Sequence, residues 1–274
     1  MKRVACLITV HNRKDKTLDC LSNLNKQVLS DDVLLDIYLT DDGCTDGTRE
    51  AVAELFSQVH IVDGDGSLYW NRGMIAAWKE AAKADYDYYL WLNDDTFIYN
   101  DVVNRLLKSS IEHHDNAIIV GTTCAVGNNN NKTYGGRTVG GTLITDVNEE
   151  KRCNTFNGNI VLVPRDVYQV LGTNDPRYRH ALGDHDYGLM AVKHGIEIWT
   201  ASGLMGECDR HERPAVWMDP SQPLEKRWKN FFSPIGSNPF EFFYFRHKHY
   251  GLVAACKTFL TNFVHLLFPR FWNE

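Results

Sequence analysis

The chain has 274 residues, of which 43% are hydrophobic and 23% are charged, and its formal net charge at pH 7 is −6. This composition is typical of a globular protein, and the length suffices for one large domain or two joined ones. The negative charge argues against a general nucleic-acid-binding protein. The seven scattered cysteines, with no CxxC pair, argue against a disulfide framework or a zinc site and predict reduced thiols.

Two features bear on location. The N-terminal sequence MKRVACLITV lacks the apolar core and cleavage site of a signal peptide, so we expect none. No stretch has the roughly 18 uninterrupted apolar residues of a membrane-spanning helix. We therefore predict a cytoplasmic protein and leave open a position at the inner face of the cell membrane.

The first predicted unit begins with a buried strand. Val4 to Val10 is an apolar run of strand-forming residues, and the loop Thr9 to Arg13 ends it. Leucines then recur on one helical face. Strand, polar loop and helix open an α/β unit, and such loops lie at the strand ends where open α/β sheets bind ligands.

The second predicted strand, Leu34 to Thr40, is followed by the acidic loop DDGCTDGT at residues 41–48. Asp46 is a predicted N-cap of the next helix, whereas Asp41 and Asp42 have no such structural duty. An acid at this place in a nucleotide-binding half typically binds a ribose hydroxyl or a base N–H. The alternative, for one of the two, is a solvated acid in a turn.

A third short strand precedes the segment GDGSLYWNRG at residues 64–73. Asn71 and Arg72 are predicted at the N-terminus of the following helix, which favours anions, and Arg72 adds a positive charge. The glycines do not follow GxGxxG, so a dinucleotide fold is not indicated. Trp70 is more typical of packing than of ligand stacking.

The stretch DYYLWLNDDTF, residues 87–97, joins an aromatic run to Asn93, Asp94 and Asp95. The run predicts a strand buried on both faces. Two carboxylates at its end repel each other and lose hydration. Mg²⁺ or Mn²⁺ resolves that conflict, because it takes oxygen ligands and leaves positions for substrate phosphates. The alternative is that Asp94 or Asp95 caps a helix starting near Tyr99.

The middle of the chain has weaker patterns. We predict a helix from Tyr99 to His113, no regular structure for Gly127 to Lys132, and a Gly-rich hairpin from Thr133 to Thr145. The last predicted strand runs from Ile196 to Thr200. Before it, the sequence GDHDY at residues 183–187 predicts a helix start. Its two acids cannot both cap that helix, so at least one is free for chemistry.

The segment from Trp217 onward is rich in aromatic and basic residues, and Leu252 to Phe268 has a helical pattern. One interpretation is a C-terminal helix packed on the domain. The other is an interfacial membrane segment that uses Lys257, Arg270 and the terminal aromatic residues. Both stay open.

Four motifs in order resemble those of family 2 glycosyltransferases, and four together are more specific than any one. They are Thr9-Val10-His11-Asn12-Arg13 after the first strand; Asp41 to Thr48, with Cys44 in place of a usual Ser; Asn93-Asp94-Asp95, which resembles the DxD-type metal motif with Asn93 in place of the first Asp; and Gly183-Asp184-His185-Asp186, with Gly183 replacing the Glu of E-D-x-D. The stretch GDGSLYWNRG resembles a bacterial subgroup that builds polysaccharides, including rhamnosyl- and galactosyltransferase-like members.

The resemblance implies the GT-A fold: an α/β protein with a mixed, mostly parallel sheet flanked by helices and a Rossmann-like nucleotide-binding half, plus a helical C-terminal tail. The implied catalytic domain spans residues 1–215, with a nucleotide-sugar half at 1–100 and an acceptor half at 101–215. Residues 216–274 form the aromatic and basic extension.

The resemblance also implies an inverting transfer of sugar from a nucleotide-diphosphate sugar to a glycan or lipid-linked acceptor in cell-surface polysaccharide synthesis. No nucleic acid partner is expected, and a homodimer and peripheral membrane contact stay open. The implied donor-binding residues are Thr9, Val10, His11, Asn12, Arg13, Asp41, Asp42, Ser67, Trp70, Asn71, Arg72, Asn93 and Asp94.

Asp95 and Asp94 are the implied ligands of Mg²⁺ or Mn²⁺, and His211 is either a further ligand or a loop residue. Asp184 best matches the catalytic base, with Asp186 as its rival. Two other classes remain: a nucleotidyltransferase, which also uses strand-end acids and a metal, and a non-catalytic nucleotide- or carbohydrate-binding protein.

Overall fold

The computed structural model describes residues 1–210 and 215–272. The strands are β1 Lys2–Val10, β2 Val33–Asp41, β3 His60–Asp63, β4 Tyr88–Leu92, β5 Phe97–Ile98, β6 Ala117–Ala125, β7 Asn128–Lys132, β8 Gly136–Arg137, β9 Lys151–Arg152, β10 Thr155–Phe156, β11 Ile160–Pro164 and β12 Glu197–Glu207. The α-helices are α1 Lys14–Leu24, α2 Thr48–Leu55, α3 Tyr69–Ala81, α4 Val102–Glu112, α5 Arg165–Leu171, α6 Gly183–Lys193, α7 Leu224–Phe232, α8 Pro239–Tyr250 and α9 Leu252–Leu267. Short 3-10 helices span Ala82–Ala84, Val216–Met218 and Pro269–Trp272.

Ten strands form one mixed sheet in the order β3-β2-β1-β4-β11-β6-β12-β5, with β7 paired to β6 and β9 to β12. The pairs β1–β2, β1–β4, β2–β3 and β6–β12 are parallel, whereas β11 runs antiparallel to β4 and β6. Strands β8 and β10 form a separate antiparallel pair. Because β1, β2 and β4 are parallel, Val10, Asp41 and Leu92 end at the same edge of the sheet.

The sheet lies between two apolar layers, and β4 shows why. Tyr88, Leu90 and Leu92 face the layer formed with α1, α2 and α4, while Tyr89 and Trp91 face the layer formed with α3 and α6. All five side chains are buried. Since alternate residues of a strand point to opposite faces, a continuous apolar run suits a strand covered on both sides. The predicted buried strand is confirmed.

Of two predictions for the middle of the chain, the lack of regular structure in residues 127–132 is wrong and the hairpin of residues 133–145 is confirmed in part. Residues 128–132 form strand β7, which pairs with the end of β6 across a turn at Gly127 (φ 67°). Within residues 133–145, Arg137 and Leu143 form an isolated antiparallel bridge, and the Thr138 N–H donates to the Thr142 carbonyl (2.9 Å). The strand of this segment, β8, pairs with β10. In both places backbone pairing orders polar residues that have no strand pattern.

Two predicted boundaries also move. Helix α4 begins three residues after Tyr99, because the Tyr99 N–H donates to the carbonyl of Met205 (3.0 Å) and belongs to a strand contact. Strand β12 continues past Thr200 to Glu207, since it pairs with β6 beyond an irregularity and then with β5. The extra length brings the chain to Cys208, one residue after the last pair of β12 with β5.

The chain divides into two compact units, residues 1–176 with 184–210, and residues 177–183 with the C-terminal region from 211. The second unit has its own core, in which Trp217, Phe231 and Leu266 are buried. The predicted C-terminal helix is confirmed as α9. Within the described residues, no helix is both long and apolar enough to span a bilayer. The boundary between residues 215 and 216 stays a prediction.

Candidate active site

Arg13 joins the loop after β1 to the acids after β4. Its Nη1 lies 3.0 Å from Asp94 Oδ1, and its Nη2 lies 2.7 Å from Asp95 Oδ2. The hydroxyl of Thr17 also donates to Asp94 Oδ2 (3.4 Å). The alternative that Asp94 or Asp95 caps the next helix is wrong, since the N-cap of α4 is Asp101. Instead, the guanidinium of Arg13 holds both carboxylates at the end of β4.

The two acids differ in exposure. The Asp94 side chain is 5% exposed and that of Asp95 is 14% exposed. Burial raises the pKa of Asp94 to about 6; the guanidinium of Arg13 opposes this rise and the charge of Asp95 adds to it. Burial acts to lower the pKa of Arg13, but the two carboxylates outweigh it and raise that pKa. Asp95 is therefore the member more open to a ligand.

The donor set at this strand end fits a hard divalent cation. Mg²⁺ is commonly bound through one or two carboxylates and completes its shell with substrate phosphates and water. Asp94 and Asp95 offer two such carboxylates, and the described residues contain no group of three or more His, Cys, Asp or Glu placed to hold a metal ion. The Cys208 thiol donates to Asp95 Oδ1 (3.8 Å). His211 lies outside the described residues, so its predicted ligand role stays a prediction.

Asp42 anchors the loop before α3. Its Oδ1 accepts hydrogen bonds from the backbone N–H of Gly66 (2.9 Å) and Leu68 (3.1 Å), and its Oδ2 accepts one from Tyr69 (2.8 Å). The expectation that Asp42 has no structural duty is therefore wrong. Three N–H donors on one carboxylate fix the loop of residues 64–69 against the end of β2.

Asp41 is held in the turn after β2. Its Oδ1 accepts from the Cys44 N–H (2.8 Å), and its Oδ2 lies 3.6 Å from Nη1 of Arg49. Asp41 is 6% exposed and Asp42 is 3% exposed. The alternative of a solvated turn acid is wrong for both, because backbone donors and a guanidinium replace water.

Asp46 links two helix starts rather than capping one. The N-cap of α2 is Gly47 (φ 80°), so the prediction of Asp46 at that position is wrong by one residue. Its Oδ1 accepts from the Thr48 N–H (3.1 Å), and its Oδ2 accepts from the Lys14 N–H (2.9 Å). The carboxylate thus satisfies donors at the N-termini of both α1 and α2.

The loop after β1 lies against the loop after β2. His11 Nδ1 donates to the Asp42 carbonyl (2.6 Å), and Asn12 Oδ1 accepts from the Thr45 N–H (2.7 Å). Asn12 has a left-handed backbone (φ 51°), as Asn tolerates well. The side chains of His11 and Asn12 are exposed, whereas Val10 is buried in the core.

Close packing fixes α3 on β1. A Cβ placed on Gly73 would lie 2.1 Å from Oγ1 of Thr9, so only glycine allows the helix to approach at this point. Thr40 donates to the Gly73 carbonyl (2.8 Å) from the neighbouring strand. Thr9 is thereby covered by the helix, and its predicted donor contact remains a prediction.

Asn71 and Arg72 hold a later segment of the chain. Asn71 is fully buried; it donates to the Asp175 carbonyl (3.0 Å) and accepts from Asn174 Nδ2 (2.8 Å). Arg72 Nε donates to the Pro176 carbonyl (2.8 Å). Ser67, by contrast, is exposed and bonds only within its own turn among the contacts the structure describes, to Asp65. Asn71 is buried by these contacts, and the predicted donor contacts of Asn71, Arg72 and Ser67 remain predictions.

A short chain of contacts joins the second acid pair to the strand end. Asp184 Oδ2 accepts from the Gly158 N–H (3.0 Å), and a Cβ on Gly158 would lie 2.5 Å from the indole of Trp70. Trp70 Nε1 in turn donates to Asn93 Oδ1 (2.7 Å). Asp184 is half-buried, whereas Asp186 is 2% exposed. The structure thus brings Asp184 and Asn93 into one connected group.

Sequence reasoning missed Thr17 and Gly158, which complete these contacts. Thr17 lies in the first turn of α1, and its single signal is a small hydroxyl on an otherwise leucine-bearing face. Gly158 follows Asn157 just before β11. A Cβ at this position would collide with the indole of Trp70 and touch Asp184, so the position needs glycine. Neither requirement can be seen until distant segments are brought together.

The model of the family described as Glycosyl transferase family 2 matches residues 5–172. Among solved structures, S. aureus TarS superposes with a TM-score of 0.59 at 14% identity, covering 88% of this chain and 45% of that chain. This chain thus spans less than half the length of TarS. No curated protein matches the sequence.

Two further similar structures are complexes with ligands. A mannosyltransferase, PcManGT from Pyrobaculum calidifontis in complex with GDP-Man and Mn²⁺, has a TM-score of 0.57 at 15% identity and covers 98% of this chain and 82% of its own. Residues 1–349 of S. aureus TarS in complex with UDP have a TM-score of 0.55 at 12% identity, with 90% and 72% coverage. At these identities the likeness establishes the fold, and the predicted GT-A fold is confirmed.

Proposed function

The chain belongs to glycosyltransferase family 2, and from that premise we propose that it is a metal-dependent, inverting enzyme. It moves a sugar from a nucleotide-diphosphate sugar to a hydroxyl of a glycan or lipid-linked acceptor in cell-surface polysaccharide synthesis. The observation that supports this most is the connected group Asp184–Gly158–Trp70–Asn93, which joins a half-exposed carboxylate to the acid-bearing end of β4.

The donor is proposed to lie across the ends of β1, β2 and β4. The exposed side chains of His11 and Asn12 and the acids Asp41 and Asp42 border the place for the nucleoside. Asp95, with Asp94 behind it, would hold Mg²⁺ or Mn²⁺ against the diphosphate. When bound, the metal supplies positive charge that offsets the negative charge of the leaving nucleoside diphosphate.

Asp184 is the proposed general base. It accepts two backbone N–H bonds, from Gly158 (3.0 Å) and His185 (2.8 Å), which fix the direction of its carboxylate without a cation. The acceptor oxygen forms a bond to the anomeric carbon as the bond from that carbon to the phosphate oxygen breaks. The acceptor proton passes to Asp184, and the bonding electrons leave with the nucleoside diphosphate.

A single displacement of this kind inverts the anomeric configuration. No second nucleophile is needed, so the residues contribute chiefly by aligning donor and acceptor, which can supply a large part of the rate. Asp186 is too buried, at 2% exposure, to meet an acceptor directly. Its proposed role is to support the first turn of α6.

A panel of nucleotide sugars tests this function. Full-length protein is heated with each UDP- and GDP-sugar, with and without Mn²⁺, and incubations are then analysed for nucleoside diphosphate. We expect Mn²⁺-dependent stabilisation by at least one donor and release of the matching nucleoside diphosphate. Formation of nucleoside triphosphate and sugar 1-phosphate when pyrophosphate is added to the nucleotide sugar would favour the nucleotidyltransferase class, and binding without any turnover would favour a non-catalytic module.

We further propose that α9 contacts an anionic lipid surface. Val253 (84% exposed), Leu260 (65%), Val264 (44%) and Leu267 (48%) recur at helical spacing and leave an apolar stripe uncovered by the described residues. Residues 242–273 contain four Lys or Arg and no Asp or Glu. An apolar stripe in a cationic segment suits an interfacial helix on an anionic bilayer, where a lipid-linked acceptor would reside.

Vesicle co-sedimentation tests the contact. Full-length protein should sediment with phosphatidylserine-containing vesicles at low salt, and the variant Val253→Ser/Leu260→Ser should sediment several-fold less. Leu55→Ser, on the equally exposed α2 surface, is the matched control. Equal sedimentation of all three proteins, or loss of self-association in the double variant without vesicles, would contradict a lipid surface as the occupant.

A further inference from the structure

Arg137, which the proposed reaction does not use, lies near Asp184, and a second unused arginine, Arg210, lies near Arg137. Arg137, at the end of β8, donates through Nε to Asn157 Oδ1 (3.0 Å), and Asn157 immediately precedes Gly158, the residue bonded to Asp184. Arg210 follows β12 and donates through Nε to the Thr133 carbonyl (3.0 Å), four residues before Arg137. Strand β8 thus places the Arg137 guanidinium beside the segment that is bonded to Asp184, and Arg210 is anchored to the segment that leads into β8.

Neither guanidinium has a carboxylate within 4 Å among residues 1–210 and 215–272. Their recorded acceptors are neutral: Arg137 also donates to the Gly141 carbonyl (2.7 Å), and Arg210 to the Lys132 carbonyl (3.2 Å). Arg137 is partly buried, and charged groups that lose hydration are normally paired, since the cost of an uncompensated charge is large. Arg210 is exposed. Within the described residues, the two like charges therefore have no ion-paired carboxylate.

The charges act on each other. Burial lowers the pKa of Arg137, the nearby Arg210 lowers it further, and the carboxylate of Asp184 is the main opposing charge. Arginine stays protonated in proteins regardless of such shifts. An oxyanion between the two groups would relieve their repulsion and take up their free N–H donors, for which guanidinium geometry is well suited.

We propose that Arg137 and Arg210 form a subsite for a phosphate or carboxylate group carried by the acceptor. The proposal rests on the glycosyltransferase function proposed above. The subsite follows from the position of Asn157 and Gly158, because Arg137 is fixed to the same short segment that orients the base. An anionic group bound there would hold a neighbouring hydroxyl of the acceptor at Asp184.

The two arginines could instead bind the donor diphosphate. The experiment therefore distinguishes an anionic group of the acceptor from the donor diphosphate. Binding of inorganic phosphate to the full-length protein is titrated with and without saturating UDP or GDP plus Mn²⁺. The nucleoside diphosphate fills the donor site, so any phosphate bound in its presence occupies a separate site. Wild type, Arg137→Gln, Arg210→Gln, the charge-retaining Arg137→Lys, and the control Arg152→Gln are compared. Arg152 is exposed and pairs with Glu197.

We expect phosphate to bind wild type and the control in the presence of nucleoside diphosphate. Each Gln variant should bind it about tenfold to a hundredfold more weakly, the scale of lost charge-assisted hydrogen bonds, and Arg137→Lys should retain part of the affinity. Phosphate binding that disappears when nucleoside diphosphate is added would assign the arginines to the donor and overturn the proposal. So would equal phosphate affinity in all variants.

A second measurement distinguishes failure of the proposed subsite from failure of the proposed glycosyl transfer. Donor hydrolysis is measured in the same proteins. Unchanged hydrolysis in the Gln variants with weakened phosphate binding supports an acceptor subsite. If wild type releases no nucleoside diphosphate from any donor, the proposed transfer fails, whereas the phosphate titration still decides whether the subsite exists.

Discussion

The two acid pairs, Asp94–Asp95 and Asp184–Asp186, share one arrangement and differ in what holds them. In each pair one acid is nearly buried, Asp94 or Asp186, and the other is more open. The pair after β4 is held by the guanidinium of Arg13, while Asp184 is held by backbone N–H groups.

The difference suggests how one protein separates two tasks. A carboxylate pair compensated by a single cation already sits in a place that favours positive charge, which suits a metal with a diphosphate. A carboxylate oriented by neutral donors keeps lone pairs for a proton. Position and partners, rather than residue type, distinguish the proposed metal ligand from the proposed base.

The largest effect is expected from Asp95→Ala, which breaks the first pair at its open member. Divalent-dependent binding of nucleoside diphosphate should be lost, and transfer should fall by about a hundredfold to a thousandfold, the scale for removing one group that stabilises developing charge. Calorimetry with UDP or GDP, with and without Mn²⁺, measures this, with Asp32→Ala as a surface control. If wild type and variant alike bind nucleoside diphosphate equally well with and without Mn²⁺, the metal has no role in donor binding.

A smaller effect, on stability, is expected from Asp186→Asn. Its carboxylate is 2% exposed and has a partner in the fold, so replacing it should lower the free energy of unfolding by about 1–3 kcal/mol. Transfer per folded molecule should change little. Denaturant unfolding and steady-state rates measure the two quantities. A stable variant with no transfer would show that Asp186 takes part in the chemistry.

The smallest effect is expected from Arg13→Gln. This change removes the guanidinium that distinguishes the Asp94–Asp95 pair from the Asp184–Asp186 pair. Without the guanidinium, Asp94 and Asp95 should bind Mn²⁺ a few-fold more tightly in the absence of nucleotide, since their repulsion is then uncompensated. The shift of Tm with Mn²⁺ concentration measures this. Arg49→Gln, which removes a guanidinium from Asp41 instead, is the control and should leave the shift unchanged.

Much of the fold could be predicted because its signals are local. The apolar run before Asn93 predicts a strand buried on both faces, and acids that follow parallel strands must meet at one edge. Residues 128–132 have no such pattern, and their pairing with β6 could not be predicted. This pairing depends on backbone N–H and C=O groups, which are present whatever the side chains.

The contacts of the site were less visible. The ion pairs of Arg13 join residues 81 and 82 positions apart, and the duty of Asp42 depends on three backbone N–H groups that have no signature in sequence. Sequence patterns named the acids; the fold decides which of them anchor loops.

In the proposed mechanism, Asp184 takes the acceptor proton while the Asp94–Asp95 pair binds the donor through the metal. This mechanism is tested most directly by steady-state transfer together with donor binding in Asp184→Asn, a change that keeps shape and removes basicity. We expect transfer to be lower by about a hundredfold or more, the usual scale of general-base loss, with donor affinity nearly unchanged. Transfer at a near wild-type rate in this variant would contradict it.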